Sequence, residues 1–379
     1  MNGPETNDGR HAASAEAEHA QVAALAMKVT RLPEPVLPPA LIERRWRESW
    51  RSRLLIALAW LVTIGIGSIA LLRIFYYDGR HVLIWLNAFT RYVYLPVYVC
   101  LAIALWKRRW RLAAVNLAII GCHLFWLAPD FMRDRRFDVA PSTVAPHGDV
   151  HAVRIFFANV RVLNTEHTAL LAEIEKANPD VVVLVEFSWL WAEAFRKAPL
   201  MATFPYGSGM ARNRIDSVNL FSKLPLKSET GEWIADRYVE SADIQLGSEV
   251  LRVIGIHAPR PMNLHANDYD GFWKRVVPLL LNEPHPLVVV GDFNATQYSH
   301  VYQRLKAGGL RSAHEDRGHG YATSWPNGRG FVPPIRIDQV FLSPDVECLG
   351  IFEGEGRGSD HKPFIVDVQV GDVQIGGRP

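Results

Sequence analysis

Cysteine is scarce in this 379-residue chain, which contains only Cys100, Cys122 and Cys348. The first two lie in apolar stretches, where cysteine behaves as a small hydrophobic residue. Cys348 is alone in its region, so a disulfide within the second half of the chain is excluded. The chain also has no HExxH motif, no Walker loop, no nucleophile-elbow serine and no dinucleotide glycine fingerprint. These absences count against a zinc site and against several common enzyme classes.

Net charge is low, at +2, but it is unevenly distributed. Residues 41–136 contain 15 Lys and Arg against 5 Asp and Glu, a balance of +10. Residues 137–379 contain 23 against 29, a balance of −6. A basic first half favours contact with a membrane, whereas an acidic second half argues against duplex DNA as its partner.

Long apolar runs are present, and they predict three transmembrane helices. Leu54 to Leu72 is uncharged and long enough to cross a bilayer. Val82 to Trp106 is interrupted by Arg91, which is tolerated in a membrane only where it faces other helices or reaches the interface. Leu112 to Leu127 forms a shorter run that we expect to end before Pro129. The alternative is a soluble bundle of long apolar helices.

Two basic clusters indicate the orientation of these helices. Arginines are concentrated in residues 41–53, and a second basic group occupies residues 107–111. Both are expected on the cytoplasmic side. With three spans, everything after about residue 130 is then extracytoplasmic, and the chain is a multi-pass protein of the cell (inner) membrane. If the segment containing Arg91 does not cross, this orientation fails.

The remaining sequence predicts a soluble α/β domain. The expected divisions are a disordered cytoplasmic tail (1–40), a basic segment with three membrane helices (41–130), a linker (131–150), the α/β domain (151–372) and a tail (373–379). Short apolar runs predict strands at 153–158, 181–185, 217–222, 242–246, 250–256, 287–291, 337–342 and 363–369. Periodicity predicts an amphipathic helix over 165–177, and we expect helices outside a core of packed sheets.

Acids, amides and imidazoles follow the ends of these strands. They are Asn159, Glu186, His257, Asp292, Asn294, Asp338, Asp360 and His361. Gly291 precedes Asp292 and predicts a turn, so an Asx turn that merely closes a strand is the alternative interpretation of that stretch. Carboxylate oxygens suit Mg²⁺ or Mn²⁺, and imidazoles beside carboxylates suit acid–base chemistry at phosphorus. His265, His314 and His319 match no motif and are interpreted as surface residues.

Residues 153–370 resemble the endonuclease/exonuclease/phosphatase superfamily, which includes DNase I, apurinic endonucleases, sphingomyelinases and inositol polyphosphate 5-phosphatases. The resemblance is carried by matching motifs in the family's order: residues 157–160 (FANV), 183–186 (VLVE), 219–226 (NLFSKLPL), 255–259 (GIHAP), 291–294 (GDFN), 337–340 (IDQV) and 359–363 (SDHKP). It implies a four-layer α/β sandwich, DNase I-like, with the site at one edge of both sheets.

The resemblance also implies roles for these residues. Glu186, helped by Asn159, is expected to hold a divalent metal ion, Mg²⁺ or Mn²⁺, and Asp360 to support the metal or the phosphate. Asp292 is expected to orient or deprotonate the attacking water, or to assist at the metal. Asn294 is expected to bond a phosphate oxygen.

Three further residues complete the implied site. His361 is expected to act as general base or transition-state stabiliser, with Asp338 fixing its tautomer. His257 is expected to donate to the phosphate or to protonate the leaving oxygen. Arg161 stands where apurinic endonucleases have an acid, so a second metal ligand is absent there. Either it meets the phosphate or it is a solvated arginine.

Three spans followed by this domain are similar to the membrane branch of the superfamily that includes the teicoplanin-resistance type proteins. That similarity implies a metal-dependent phosphoester hydrolase acting on a lipid-linked phosphate or pyrophosphate, or on a phospholipid. A tethered domain meets membrane lipid at high effective concentration. The alternatives are an extracytoplasmic nuclease, which would need a basic groove, and a catalytically inactive tethered domain that binds a lipid or protein partner.

Overall fold

The computed structural model describes residues 20–22, 39–132, 151–209, 217–261, 266–328 and 330–370. Most of the predicted N-terminal tail, nearly all of the predicted linker and the whole predicted C-terminal tail lie outside these residues. The chain forms two compact units, Met1–Ala59 and Trp60–Pro379. The second unit contains both the apolar helices after residue 60 and the α/β domain, which we define by its described residues within 151–370.

The first helices are apolar enough to enter a membrane. In chain order they are α1 (Pro39–Tyr76), α2 (His81–Ala88), α3 (Thr90–Val93), α4 (Leu95–Trp106) and α5 (Trp110–Phe131). Two segments, Ser49–Tyr76 and Trp110–Phe131, are long and apolar enough to cross a membrane. A third crossing is reached only if α2 and Thr90–Trp106, which are bent by 74° at their junction, count as one span.

Two predicted boundaries in this region differ from the observed ones. The run from Val82 to Trp106 is not one helix. A new helix begins at Leu95 with Pro96 in its first turn, a position where proline is favoured because its missing N–H has no helical partner there. The last helix does not stop before Pro129, because α5 continues to Phe131 with Pro129 inside it.

The α/β domain contains twelve strands and five helices. The strands are β1 (His151–Asn159), β2 (Val181–Val185), β3 (Tyr206–Gly209), β4 (Val218–Ser222), β5 (Leu226–Ile234), β6 (Arg237–Leu246), β7 (Glu249–His257), β8 (Leu287–Asp292), β9 (Arg311–Ser312), β10 (Asp338–Leu342), β11 (Val346–Glu353) and β12 (Phe364–Val370). The helices are α6 (His167–Ala177), α7 (Trp189–Lys197), α8 (Ala266–Leu281), α9 (His300–Ala307) and α10 (Ala313–Asp316), with a short 3₁₀ helix at Pro199–Thr203.

The strands form two six-stranded sheets. One has the order β11-β12-β1-β2-β4-β3 and the other β5-β6-β7-β8-β10-β9. Apolar side chains from both sheets, such as Phe157 and Val290, form the central core. The outer face of the first sheet packs on α6 and α7 through residues such as Trp191, and that of the second on α8 and α9 through residues such as Phe272. This is the predicted sandwich of two sheets flanked by helices.

Strand direction brings the polar strand ends to one edge. β1 is parallel to β2, with Asn159 opposite Val185, and β7 is parallel to β8, with His257 opposite Asp292. The antiparallel β10 starts at the same edge, where Asp338 is opposite Asp292. Carboxyl ends of parallel strands necessarily meet, so residues far apart in sequence become neighbours here.

Candidate functional site

Asp292 lies at the centre of the polar cluster at this edge. Its Oδ2 atom is 3.1 Å from Asn159 Nδ2 and 3.7 Å from both His257 Nε2 and His361 Nε2. The side chain is 1% exposed. Burial, and then the neighbouring Asp338, raise the pKa of Asp292, because a second negative charge is unfavourable in a site removed from water.

Gly291 places Asp292 by a different means from the predicted turn. Strand β8 continues through Gly291 to Asp292. A Cβ atom on Gly291 would lie 2.1 Å from the carbonyl oxygen of Ile256 on β7. Glycine is therefore required because the two strands approach closely at their ends, and the turn expected at Gly291 itself is not observed. The strand does close in an Asx turn at Asp292, whose carboxylate accepts from the backbone N–H of Asn294.

Glu186 is held beside Asp292 by hydrogen bonds from the first sheet. Asn159 Nδ2 donates to Glu186 Oε1 at 3.1 Å as well as to Asp292, and the backbone N–H of Val162 donates to Glu186 Oε2 at 3.0 Å. Asn159 Oδ1 accepts from the backbone N–H of Arg161 at 3.0 Å. Glu186 has φ 59°, a left-handed conformation that is strained outside glycine and is often found at functional sites.

His361 is paired with a carboxylate behind it. Its Nδ1 lies 2.8 Å from Asp338 Oδ2, and its ring is 3% exposed. Burial by itself lowers the pKa of His361, but the carboxylates of Asp338 and Asp292 outweigh burial and raise the pKa to about 9. The ring is therefore protonated at pH 7. Asp338 Oδ1 is buried and has no hydrogen-bond partner among the described residues.

A cationic side chain that the sequence did not single out approaches the same cluster. Arg260 Nη2 lies 3.8 Å from Glu186 Oε1, and its side chain is 58% exposed. His257 Nε2 lies 3.8 Å from the same Glu186 oxygen. Arg260 comes three residues after His257, just beyond the end of β7. This closeness in sequence to a predicted site residue was the signal that could have identified it.

Asn294 and Asp360 lie at the rim of the cluster. Asn294 has φ 48°, its backbone N–H donates to Asp292 Oδ1 at 3.0 Å, and its Nδ2 donates to the carbonyl of Ala258 at 2.9 Å. Asp360, with a side chain 40% exposed, lies 3.8 Å from Arg161 Nε and accepts from Trp325 Nε1 at 3.4 Å. Arg161 thus approaches a carboxylate of the site.

A cavity of about 390 Å³ opens beside this cluster. Its polar lining includes Arg260, Asn294, Asp360 and His361. The rest of its lining is Ile84, Trp85, Ala88, Pro261, Ala295, Thr296, Ser299, Trp325, Ile335 and Ile337. The cavity is within the size range of small-molecule sites, and helix α2 supplies part of its wall.

The donors at the site fit a divalent cation. Carboxylate oxygens of Asp292 and Asp338 lie within 4.8 Å of one another, and Glu186 adds a carboxylate that shares the Asn159 amide with Asp292. The protonated ring of His361 is not itself a ligand. Buried carboxylates of this kind are normally paired or bound to a metal, and the unpartnered Asp338 oxygen is consistent with such a charge nearby. Oxygen-rich ligand sets favour Mg²⁺ or Mn²⁺ over zinc.

The three unassigned histidines have different outcomes. His314 was expected at the surface, but it is 1% exposed. Burial lowers its pKa well below the ordinary value. That prediction is wrong because the short helix α10 packs between strands. His319 is exposed as expected, and His265 lies outside the described residues.

A buried arginine, Arg91, joins the apolar helices to the α/β domain. Arg91 Nε donates to Asp130 Oδ2 at 3.0 Å and to the Tyr298 hydroxyl at 2.9 Å. Its Nη2 and Nη1 donate to the carbonyls of Gly320 at 2.8 Å and Tyr321 at 3.1 Å. A Cβ on Gly320 would lie 2.6 Å from Asp130 Cα, so the two parts are in close contact.

Comparisons with known proteins agree with this geometry. Residues 157–361, more than half of the chain, match the model of the Endonuclease/Exonuclease/phosphatase family. No match was found among curated proteins. The similarity to the membrane-anchored branch of the superfamily stays a prediction.

Several solved structures of low identity are similar to more than half of this chain. A humanized D. rerio TDP2 with 14 mutations is 15% identical, with a TM-score of 0.50 over 57% of this chain and 98% of that chain. D. rerio TDP2 with a single-strand DNA product is 16% identical, with a TM-score of 0.49 over 57% and 98%. The human Nocturnin catalytic domain with bound sulfate is 16% identical, with a TM-score of 0.46 over 58% and 95%. Identities this low show the fold alone.

Proposed function

Because the chain belongs to the Endonuclease/Exonuclease/phosphatase family and is a phosphoester hydrolase, we propose that its substrate is a phosphate-bearing lipid at the outer face of the membrane. The observation that carries this proposal is the position of the catalytic loop. The loop that follows Asp292 and bears Asn294 continues to Tyr298, which contacts Arg91. It leads on to His300, whose backbone N–H donates to Asp78. The site is thus joined directly to the ends of apolar helices.

The direction of those helices supports three crossings. The α/β domain contacts Asp78, which follows the end of α1, Arg91 in α3 and Asp130 near the end of α5. The basic residues 107–111 lie at the opposite ends of α4 and α5. With those residues cytoplasmic, α1 and α5 each cross once. The third crossing is supplied by the bent pair of His81–Ala88 and Thr90–Trp106, and the α/β domain is then extracytoplasmic.

A divalent ion would be held by Glu186 and Asn159, with Asp360 in support, and Mg²⁺ or Mn²⁺ fits this oxygen-rich set. When bound, such an ion would neutralise charge on the phosphoryl group and polarise the ester. Asn159 now donates its N–H groups to Glu186 and Asp292, so ligation through its oxygen requires the amide to turn over. The hydrogen bonds to Glu186 hold that carboxylate in place beforehand.

The remaining residues have separable roles in hydrolysis. His361 is protonated at neutral pH because its pKa is about 9, so we assign it to stabilise the phosphoryl oxygens, with Asp338 fixing its orientation. Asp292, whose pKa is raised, is the better base. It takes a proton from the water that attacks phosphorus. His257 protonates the departing ester oxygen as its bond to phosphorus breaks, and Asn294 bonds a phosphate oxygen.

The direct test is hydrolysis by the full chain in detergent or vesicles with Mg²⁺. The panel contains undecaprenyl pyrophosphate, phospholipids, and single- and double-stranded DNA and RNA. Asp292→Asn serves as the inactive variant. Asp236→Asn is its matched control, because Asp236 is exposed and has φ 59°, which asparagine tolerates. We expect turnover of a lipid phosphate that Asp292→Asn abolishes and Asp236→Asn retains. Cleavage of nucleic acid alone would refute the lipid proposal in favour of a tethered nuclease.

Orientation needs a separate measurement. A reporter that is active only outside the cytoplasm, fused after residue 379, is expected to be active. A second fusion within residues 107–109 is expected to be inactive, because that turn is predicted to be cytoplasmic. Activity of the second fusion, or inactivity of the first, contradicts the three-span arrangement.

A further inference from the structure

The cavity beside the polar cluster around Asp292 has a lining of two chemical kinds. Arg260, Asn294 and His361 are donors that suit a phosphate, and Asp360 adds a carboxylate. Much of the remaining lining is aliphatic or aromatic, with Ile84, Ala88 and Ile337 among it. A ligand that fills the cavity and reaches these donors must combine a phosphate with an adjoining apolar group.

Helix α2 supplies a fixed part of the apolar lining. Ile84 is 3% exposed and belongs to the same hydrophobic cluster as Trp273 and Phe293 of the α/β domain. The ring of Trp85 stacks on Phe89 with centroids 5.7 Å apart. The wall is therefore packed into the α/β domain, and it is supplied by the segment between two candidate membrane crossings.

We propose that this cavity binds the hydrocarbon chain of the substrate where it adjoins the phosphate, and that Ile84, Trp85 and Ala88 determine specificity for lipid over water-soluble phosphoesters. The inference rests on the proposed function, because it assigns the tail of the same substrate. Burial of a hydrocarbon chain against these residues is favourable in proportion to the apolar area removed from water. Helix α2 lines the cavity and lies between two candidate membrane crossings, so the proposed topology lets a chain enter from the bilayer.

A nucleobase is the competing occupant, since Trp85 and Trp325 could stack on one. The lining argues against it. Ile84, Ala88, Ile335 and Ile337 offer no hydrogen bond to a base edge, and Arg260 is the one arginine or lysine among the residues that line the cavity. Nucleic-acid grooves have several such cations along the backbone.

The test enlarges an apolar lining residue and leaves Arg260, Asn294 and His361 unchanged. Ala88→Val and Ala88→Phe fill the cavity progressively. Val82→Phe is the matched control, because Val82 lies on the same helix but is 65% exposed. Each full-length variant is assayed in vesicles against the lipid phosphate turned over by the unsubstituted chain, and against bis(p-nitrophenyl) phosphate and a single-stranded oligonucleotide.

The measured quantity is the ratio of kcat/KM for the lipid to kcat/KM for the soluble ester. One methylene group more or less in an apolar pocket changes selectivity by about 10- to 200-fold. We expect the ratio to fall about threefold or more in Ala88→Val and tenfold or more in Ala88→Phe, with Val82→Phe within about twofold of the unsubstituted chain.

Each outcome separates this inference from the proposed function. If the unsubstituted chain turns over no lipid phosphate, the proposed function fails first. If it does, but both Ala88 variants keep the original ratio, or lose activity equally on lipid and soluble ester, the tail-binding cavity is refuted while the lipid hydrolase stands. A selective loss of oligonucleotide cleavage in the Ala88 variants would identify the occupant as a base and overturn the inference.

Discussion

Removal of the Arg91 guanidinium should destabilise the folded chain strongly. Arg91→Ala deletes four polar contacts, two of them to backbone carbonyls of the α/β domain. It leaves Asp130, whose side chain is 1% exposed, without its cation. Breaking one partner of a buried ion pair generally costs about 3–5 kcal/mol, because the remaining charge stays in a poorly solvated site.

The expected loss lies at the lower end of this range. Asp130 keeps two other partners, Gln297 Nε2 at 2.9 Å and the Tyr298 hydroxyl. At about 2–4 °C per kcal/mol for a large domain, a loss of about 3 kcal/mol lowers Tm by roughly 6–12 °C. Thermal unfolding of the full chain in detergent measures this directly.

A matched surface pair provides the control. Arg154 forms an ion pair with Asp367 at 2.7 Å, but its side chain is 44% exposed. Exposed pairs contribute about 0–1 kcal/mol, so Arg154→Ala should lower Tm by no more than about 4 °C. The reasoning is refuted if Arg91→Ala destabilises no more than Arg154→Ala.

A double-mutant cycle tests the cause of the destabilisation. In Arg91→Ala/Asp130→Asn the unpaired charge is gone. The double variant should therefore lose less unfolding free energy than the two single variants lose in total, by about 1 kcal/mol or more. If the two losses of unfolding free energy simply add, Arg91 and Asp130 are not energetically coupled, and the buried-charge explanation fails.

Three further predictions concern the polar cluster around Asp292. The pKa of His361 is 6.5 ordinarily and about 9 in the folded chain. With metal removed by a chelator, the contribution of His361 to the free energy of unfolding should therefore be complete below pH 6.5. It should be lost as the pH rises through about 9. Asp338→Asn should move the imidazole titration, followed by NMR, to lower pH, and an unchanged titration contradicts the pairing. Arg260→Ala should raise KM for a phosphoester by about tenfold, the loss of one charge-assisted contact of about 1.4 kcal/mol, whereas Arg161→Ala should change it less. The reverse order would make Arg161 the phosphate-binding cation. EDTA should abolish turnover, and Mg²⁺ or Mn²⁺ should restore it. The Glu186→Gln variant should require about tenfold more metal for half-maximal activity. Full activity in EDTA would exclude a metal role.

The membership of the cluster was predictable from the sequence because strand ends are local signals. Val181–Val185 and Leu287–Asp292 are continuous apolar runs, which predict buried strands. Each is followed directly by, or ends in, a carboxylate, at Glu186 and Asp292. Once such strands are parallel neighbours, their ends must lie at one edge. The α/β class, the two-sheet sandwich and the grouping of the polar residues follow from that pattern.

Elements without a local pattern were not predictable. Strand β5 (Leu226–Ile234) is exposed along nearly its whole length, so it shows no apolar alternation, and its pairing with β6 defines it. His314 belongs to the same category. Nothing in its neighbours in sequence indicates that α10 is enclosed by the rest of the domain.

The sequence by itself determined the chemistry that is available: apolar helices, a phosphoesterase motif set in its order, and a basic first half. Only the tertiary structure decided which distant residues meet. It placed Arg91 against Asp130 and Tyr298, Arg260 beside Glu186, and α2 along the wall of the cavity. The physical reason is that these contacts join residues far apart in sequence and depend on how the folded elements pack together. Strands and helices, in contrast, depend on the pattern of residues that are near neighbours in sequence.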